Sequence, residues 1–468
     1  MLLRALADRI GEVTFEALPR EAVATAKQGI LDTVGVTLAG ARDDTTAVVT
    51  RTLRWTAGQG AALVFGGSES LDALSAALIN GTASHALDFD DCSNTLGGHP
   101  SAPILPALWT LATGVSGQAF IAAYAAGVET ECKLARAVNF HHYDKGWHPT
   151  ATLGTFGAAA ACAHLLRLSP DKIATALALA ASMASGIKAN FGTMTKPFHV
   201  GHAARNGLFA ALLAEEGMTA NHGALEHEQG FFAVFNGAGH FDADRILAEW
   251  AKPFDLTDPG IAFKRHPCCG STHSAADAML HLRAAHALAP ERVEGIERIE
   301  SWTHPRRLQH TNRPDPQSGL DGKFSVQYVL ARALMHGIVS LEHFSDAAVR
   351  DDAARALMAK VNAQPDDSLG RSAEDHFYAR LRVTTTAGET HEHFVDRPLG
   401  RDRDHPLPQG TLEAKFRDCA RRALDEASTE EVLRLCSMLE ELADAGDVLT
   451  AMTHTRSIEP LDVKRAYA

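Results

Sequence analysis

From about residue 20 to 265, apolar residues recur at intervals of three and four in an Ala- and Leu-rich background with few β-branched clusters. That period restricts the region to successive amphipathic helices. In EAVATAKQGILDTVGVTLAG, Val23, Ala26, Ile30, Val34 and Leu38 share one face; Pro19 precedes the run and Gly40 closes it. Similar runs predict helices over 70–87, 103–114, 117–137, 150–166, 170–187 and 200–216. Gly and Ala are frequent on these faces, so backbones can approach closely, which favours a compact block over a loosely stacked solenoid. No fixed-period repeat is present.

The texture changes near Pro267. Ile296, Ile299 and Trp302 mark a short strand, while Lys323–His336 and Ser345–Val361 read as helices. ARLRVTTTAGETHEHFV carries two alternating β-prone runs around an Ala-Gly-Glu turn. After the Pro- and charge-rich loop DRPLGRDRDHPLPQG, helical periodicity returns from Leu412 to about Leu442. The expected fold is therefore mainly α: a large all-helical domain, discontinuous over 1–265 and 405–468, with a smaller α+β domain inserted at 266–404. A chain of 468 residues has ample length for two such domains.

Charge narrows the partners. Lys plus Arg total 44 against 57 for Asp plus Glu, a formal charge of -13 that repels nucleic-acid backbones and anionic lipid. A small anionic substrate stays open, because a few cations gathered in one cleft can reverse the local field. The seven cysteines, Cys92, Cys132, Cys162, Cys268, Cys269, Cys419 and Cys436, form no C-x-x-C pair, which suits reduced thiols in the cytoplasm. Arg4, Asp8 and Arg9 interrupt the start before a secretory signal could develop, and Ile173–Ile187 falls short of a membrane span.

Four segments concentrate reactive groups. HALDFDDC brings His85, Asp88, Asp90, Asp91 and Cys92 together ahead of His99-Pro100. An isolated DFDD is most simply a solvated helix end; the sharper alternative is the Mg²⁺-holding face of an all-α isoprenoid synthase, which needs a second acidic motif that this chain lacks. HHYDKGWHPT carries His141, His142 and His148. A His beside Trp is usually packing, but His148 directly precedes a helical run, where the dipole lowers an imidazole pKa toward a base-competent form. GTMTKPFHVGH places Lys196 between Met194 and Pro197, with His199 and His202 following. A Lys in such apolar surroundings needs an anionic partner such as the Asp cluster or a bound carboxylate; the two histidines stand at a helical metal-ligand spacing, but a zinc site needs a third ligand and a second shell that a sequence does not show. FKRHPCCGSTHS holds Lys264, Arg265, His266, Cys268, Cys269 and His273 near the domain junction.

Taken in order, NGTASHALDFDDC, His99-Pro100, GWHPTATLG, MTKPFHVGHAARNG, KRHPCCGSTHSAADA and the AKF around Lys415 resemble the MmgE/PrpD family over nearly the full chain. That family includes 2-methylcitrate dehydratases, cis-aconitate decarboxylases and iminodisuccinate epimerases. The resemblance implies a helical domain with an α+β lid, a homodimer, and a small di- or tricarboxylate substrate. It also implies catalytic roles for Asp88, His99, His148, Lys196 and His273, and substrate contacts from Asp91, Cys92, Met194 and a lid-side Tyr328. Cys92 stands where the family often carries Thr. No G-x-G-x-x-G loop follows a predicted strand and no cysteine set suits an iron–sulfur cluster, so no cofactor and no metal are expected. The resulting expectation is a hydro-lyase acting by α-proton transfer, with epimerisation second and decarboxylation also compatible; a catalytically silent helical binding protein is the rival.

Overall fold

A computed structural model describes residues 1–288, 294–370 and 376–453. Residues 454–468, assigned above to the larger domain, lie outside the described residues. The chain is mainly α and divides into two compact units: Met1–Ile261 with the segment from Leu412 onward, and Ala262–Thr411.

The first unit is built around the helix Pro149–Leu165, whose Ala, Gly, Thr and Phe side chains are buried from Pro149 through Ala163. It lacks a polar face because helices surround it: Gly117–Val138, Thr195–Glu215, Ser101–Trp109 and Pro170–Met183 all pack on it. The helix Ala73–Ala86 crosses Thr195–Glu215 backbone to backbone. A Cβ on Gly81 would lie 2.8 Å from the Gly201 Cα, and one on Gly201 would lie 2.3 Å from the Leu78 carbonyl oxygen, so both positions demand glycine. This close crossing sets the end of Ala73–Ala86, where HALDFDD begins, beside the start of the helix that carries Lys196.

Several helix limits differ from the periodic pattern, and capping explains them. The run predicted from residue 70 begins at Ala73 because Asp72 accepts the Ser75 N–H at 3.0 Å. The predicted helix Leu412–Leu442 is two, Thr411–Ala420 and Glu426–Ser437, the second started by Asp425, which accepts the Ser428 N–H at 2.8 Å. The larger unit is not all-helical: Ala62–Leu63 and Ser70–Leu71 pair as a small antiparallel ladder. Between Gly217 and Ile261 only the short helices Phe231–Asn236 and Asp244–Ala248 form, since Gly, Pro, Asn and Asp repeatedly interrupt the chain.

The second unit holds a four-stranded sheet in the order Val361–Pro365, Ile296–Thr303, Ala379–Thr385, Thr390–Val395. The first pair is parallel and the others antiparallel. Ala379, Leu381 and Val383 alternate inward, and the helix His273–Ala285 covers their strand and its neighbour Thr390–Val395. Ser345–Val361, read above as one helix, is instead Asp346–Val349, Asp352–Met358 and the start of a strand. Ser345 caps the first helix through the Ala348 N–H, and Asp351 restarts the chain by accepting the Ala353 N–H.

The C-terminal segment contributes a buried ion pair to the first unit. Lys415 Nζ lies 2.6 Å from Asp32 Oδ1, donates to the Phe89 carbonyl at 2.7 Å, and sits 3.9 Å from the Phe89 ring centroid. Desolvating an ammonium and a carboxylate is costly, and these three contacts together offset that cost. Removing one partner leaves a buried charge, so Lys415→Met is expected to lower unfolding stability by about 3–5 kcal/mol. Adding Asp32→Asn to that variant should recover part of the loss, measured by urea unfolding of the three proteins.

Candidate active site

Three carboxylates within four residues cannot share one environment when buried. The chain separates them just after the helix Ala73–Ala86. Asp88 adopts a positive φ of 51°, a left-handed conformation that Asp tolerates better than most residues. The three acids then point to different partners. Asp88 Oδ1 accepts from Lys196 Nζ at 2.8 Å. Asp90 Oδ2 lies 2.8 Å from His85 Nδ1 and 3.1 Å from His99 Nδ1. Asp91 accepts from the Ser101 backbone N–H at 3.3 Å and from the Ser101 hydroxyl, which also contacts the Tyr124 hydroxyl at 2.5 Å. Burial and the neighbouring Asp32 push the Asp91 carboxyl well above the usual carboxylate range. Asp91, expected above to contact substrate, is thus fully buried and committed to the start of the helix Ser101–Trp109.

Two further elements complete the cluster. His148 caps the helix Pro149–Leu165, and the His99 N–H donates to Thr150 Oγ1 in its first turn at 3.1 Å. Lys196 stands at the second position of Thr195–Glu215, and one turn on, His199 Nδ1 lies 3.3 Å from His148 Nδ1. The His85 ring lies between the other two imidazoles, its centroid 4.4 Å from that of His99 and 5.9 Å from that of His148.

Electrostatics gives these rings opposite characters. Burial disfavours protonation of all three. At His148, burial followed by the charges of Lys196 and the nearby histidines drives the pKa well below the ordinary value, and the helix N-terminus acts in the same sense. At His85 burial outweighs the attraction of Asp90 and brings the pKa down to about 3. His99 also feels burial, but Asp90 and Cys92 outweigh it and push its pKa up to about 10. Its Nε2 is 3.8 Å from Asp88 Oδ1, so the ring lies between two carboxylates as an imidazolium.

Of the other expected contacts, Cys92 Sγ lies 3.8 Å from His99 Nδ1, and Met194 stands half-exposed just before the Lys196 helix. His85, Asp90 and His199 belong to the cluster although the sequence reading gave them no role. The five-residue step from His85 to Asp90 spans a helix end, where period arguments stop. Atoms of His85, Asp88, Asp90 and His99 lie within 4.8 Å of one another, a spacing that would admit a metal ion. Here Lys196 Nζ faces Asp88 Oδ1 and the two imidazole Nδ1 atoms face Asp90 Oδ2, so the groups of the cluster already engage one oxygen of each carboxylate.

His273 belongs to the second unit. It begins the helix His273–Ala285, and its Nε2 donates to the Cys268 carbonyl at 3.2 Å, which leaves Nδ1 as the lone-pair nitrogen. Burial, then His266 and Lys264, hold its pKa well below the ordinary value. Next to it, Asp277 Oδ1 accepts from His266 Nε2 at 3.0 Å and from Arg265 at 2.8 Å. Tyr328 is fully buried: its hydroxyl donates to the His343 carbonyl and accepts from Arg332 Nε at 2.9 Å. This makes Tyr328 a core residue of the unit, whereas the resemblance implied a substrate contact. None of the described cysteines forms a disulfide with another described cysteine.

Among the described residues no helix is long and apolar enough to cross a membrane. The MmgE/PrpD N-terminal domain model matches residues 4–244, and the MmgE/PrpD C-terminal domain model matches residues 266–440. The chain is 32% identical to cis-aconitate decarboxylase of Homo sapiens over 458 residues, covering 95% of this chain and 92% of that protein. The Mus musculus cis-aconitate decarboxylase is 32% identical over 448 residues, 93% of this chain and 89% of its own length. A 2-methylcitrate dehydratase of Cupriavidus necator is 26% identical over 278 residues, 57% of this chain and 56% of that protein.

The imidazole shifts predict a stability maximum near neutral pH. The His99 pKa is raised from 6.5 to about 10, so its contribution is fully present below pH 6.5 and is lost as pH rises toward 10. The His85 pKa is depressed to about 3, so its contribution is present above pH 6.5 and is lost as pH falls toward 3. Thermal melts of the wild type and His99→Gln across this range should show the wild type's advantage at its full value at and below pH 6.5 and shrinking toward pH 10.

Proposed function

The chain belongs to the MmgE/PrpD family, and from that premise we propose that it is a lyase that removes carbon dioxide from a small tricarboxylate of the cis-aconitate kind, using only its own side chains. The observation that carries this reading is the pairing of a charged imidazole, His99, with a neutral one, His148, around His85, with Lys196 completing the cationic side. The two decarboxylase likenesses, spanning more than nine tenths of the chain, move decarboxylation ahead of the dehydration ranked first from the sequence.

The chemistry follows from these charges. A tricarboxylate entering the cluster meets Lys196 and the His99 imidazolium, which compensate its carboxylates. When one carboxylate leaves as CO₂, the electron pair of the broken C–C bond forms a new double bond, and the displaced π pair moves onto carbon next to a remaining carboxylate. The developing enolate charge is stabilised by the same two cations, and His99 supplies the proton that collects the pair. His148, neutral, serves as a hydrogen-bonding partner that holds the substrate. Dehydration is the second reading, favoured by the 2-methylcitrate dehydratase likeness. In it His148 removes the α-proton and His99 protonates the departing hydroxyl. His273 is assigned to the reaction on the family likeness. From the same likeness we propose a cytoplasmic homodimer in which the smaller unit acts as a lid.

The test is turnover of cis-aconitate, 2-methylcitrate, citrate and iminodisuccinate in D₂O, followed by proton NMR and CO₂ release. Loss of CO₂ from cis-aconitate with one deuterium entering the product is expected; deuterium exchange without net loss would indicate epimerisation. Failure of every polycarboxylate to react or exchange would overturn the reading. His99→Gln should lower kcat/KM at least about 100-fold, in the range for loss of an acid–base group. His148→Gln should impair dehydration and deuterium exchange more than decarboxylation, so equal losses in all three would reject the separate roles.

A further inference from the structure

We propose that Asp90, braced by His85, is a positioning residue that fixes the orientation of His99 and presents its Nε2–H as the site's proton donor; the donor role rests on the reading above. One carboxylate oxygen, Asp90 Oδ2, faces the Nδ1 atoms of both rings, at 2.8 Å for His85 and 3.1 Å for His99. A carboxylate only accepts, so both Nδ1 atoms carry hydrogen. This settles the geometry of both rings. His85 is neutral with hydrogen on Nδ1, and its Nε2 has no hydrogen-bond partner among the described residues. His99 has Nδ1 held from behind and Nε2 directed toward Asp88, 3.8 Å away, beside the Lys196 ammonium.

The charge of Asp90 matters as much as its shape. Asp90 and His85 are fully buried, so the carboxylate acts on the two rings with little screening. The titratable and charged groups around His99 are Asp88, Asp90, Cys92, His85, His148 and Lys196. Lys196 opposes a proton on the ring, and Asp90 is the carboxylate in direct hydrogen-bond contact that favours it. The His99 value near 10 and the His85 value near 3 agree with this division. His85 differs from an inert filler because its Nδ1–H occupies the same oxygen and blocks rotation of the carboxylate.

The experiment uses the full chain with ¹⁵N-labelled histidine. In the wild type one histidine, identified by its loss in His99→Gln, should retain the doubly protonated ¹⁵N signature at pH 8.5, without any substrate present. Asp90→Asn keeps the side-chain size and removes the charge; its His99 should titrate at least two pH units lower, and kcat should fall about 100-fold with KM changed less than threefold. His85→Gln should lower kcat about tenfold, with the His99 signature retained. If no histidine is doubly protonated at pH 8.5 in the wild type, or if Asp90→Asn leaves both the signature and kcat unchanged, the proposal is overturned. A wild-type spectrum without that signature overturns the proposal even if Asp90→Asn fails to fold. A persistent imidazolium that disappears in Asp90→Asn, in a protein inert to all polycarboxylates, would uphold the positioning and refute only the assigned reaction.

Discussion

Burying three carboxylates inside four residues is the constraint around which the larger unit is arranged. Each acid needs its own counterpart, and the counterparts come from distant parts of the chain. Lys196 comes from the start of a helix more than a hundred residues later, His99 from the following loop, and Ser101 from the next helix. Lys415, from the C-terminal segment, holds the carbonyl of Phe89 between the first two acids. The discontinuity of the unit therefore has a local consequence: the returning segment fixes the backbone from which Asp88 and Asp90 diverge.

The close helix crossing is the mechanical counterpart of that charge arrangement. Lys196 reaches Asp88 because Ala73–Ala86 and Thr195–Glu215 approach at Gly81 and Gly201 with no side chain between them. A larger residue at either position would force the helices apart, lengthening the ion pair in a place where water is scarce and separation of charge is costly. Packing and electrostatics are thus coupled through two glycines that carry no chemistry themselves.

Much of this was legible in the sequence, for identifiable reasons. The period of three and four located the main helices, and the alternation in ARLRVTTTAGETHEHFV located two strands, because burial on one face imposes those periods directly. His148 at a helix start followed from the Pro-Thr after it, and an anionic partner for Lys196 followed from its apolar neighbours. What was not legible depended on single hydrogen bonds. Ser345 and Asp351 break one apparent helix into two, and nothing in the apolar period records a cap. Likewise Asp90 and Asp91 are adjacent and chemically identical in sequence, yet one meets two imidazoles and the other a serine. The direction of each side chain is set by the left-handed turn at Asp88, which composition does not report.

Burial alone would have left every imidazole in the cluster neutral, since the low-dielectric interior penalises each imidazolium alike. A working acid and a working base therefore cannot be obtained by enclosing several histidines; one of them must be singled out. Asp90 makes that selection through position. It touches two rings, but at His99 Cys92 adds to the effect of Asp90, and the two together overcome desolvation. His148 faces another histidine and the Lys196 charge, and it stays neutral. In the smaller unit Asp277 accepts from His266, while His273 donates to the Cys268 carbonyl and burial holds its pKa well below the ordinary value. In this cluster the carboxylate's choice of ring, more than the number of histidines, determines where the proton resides.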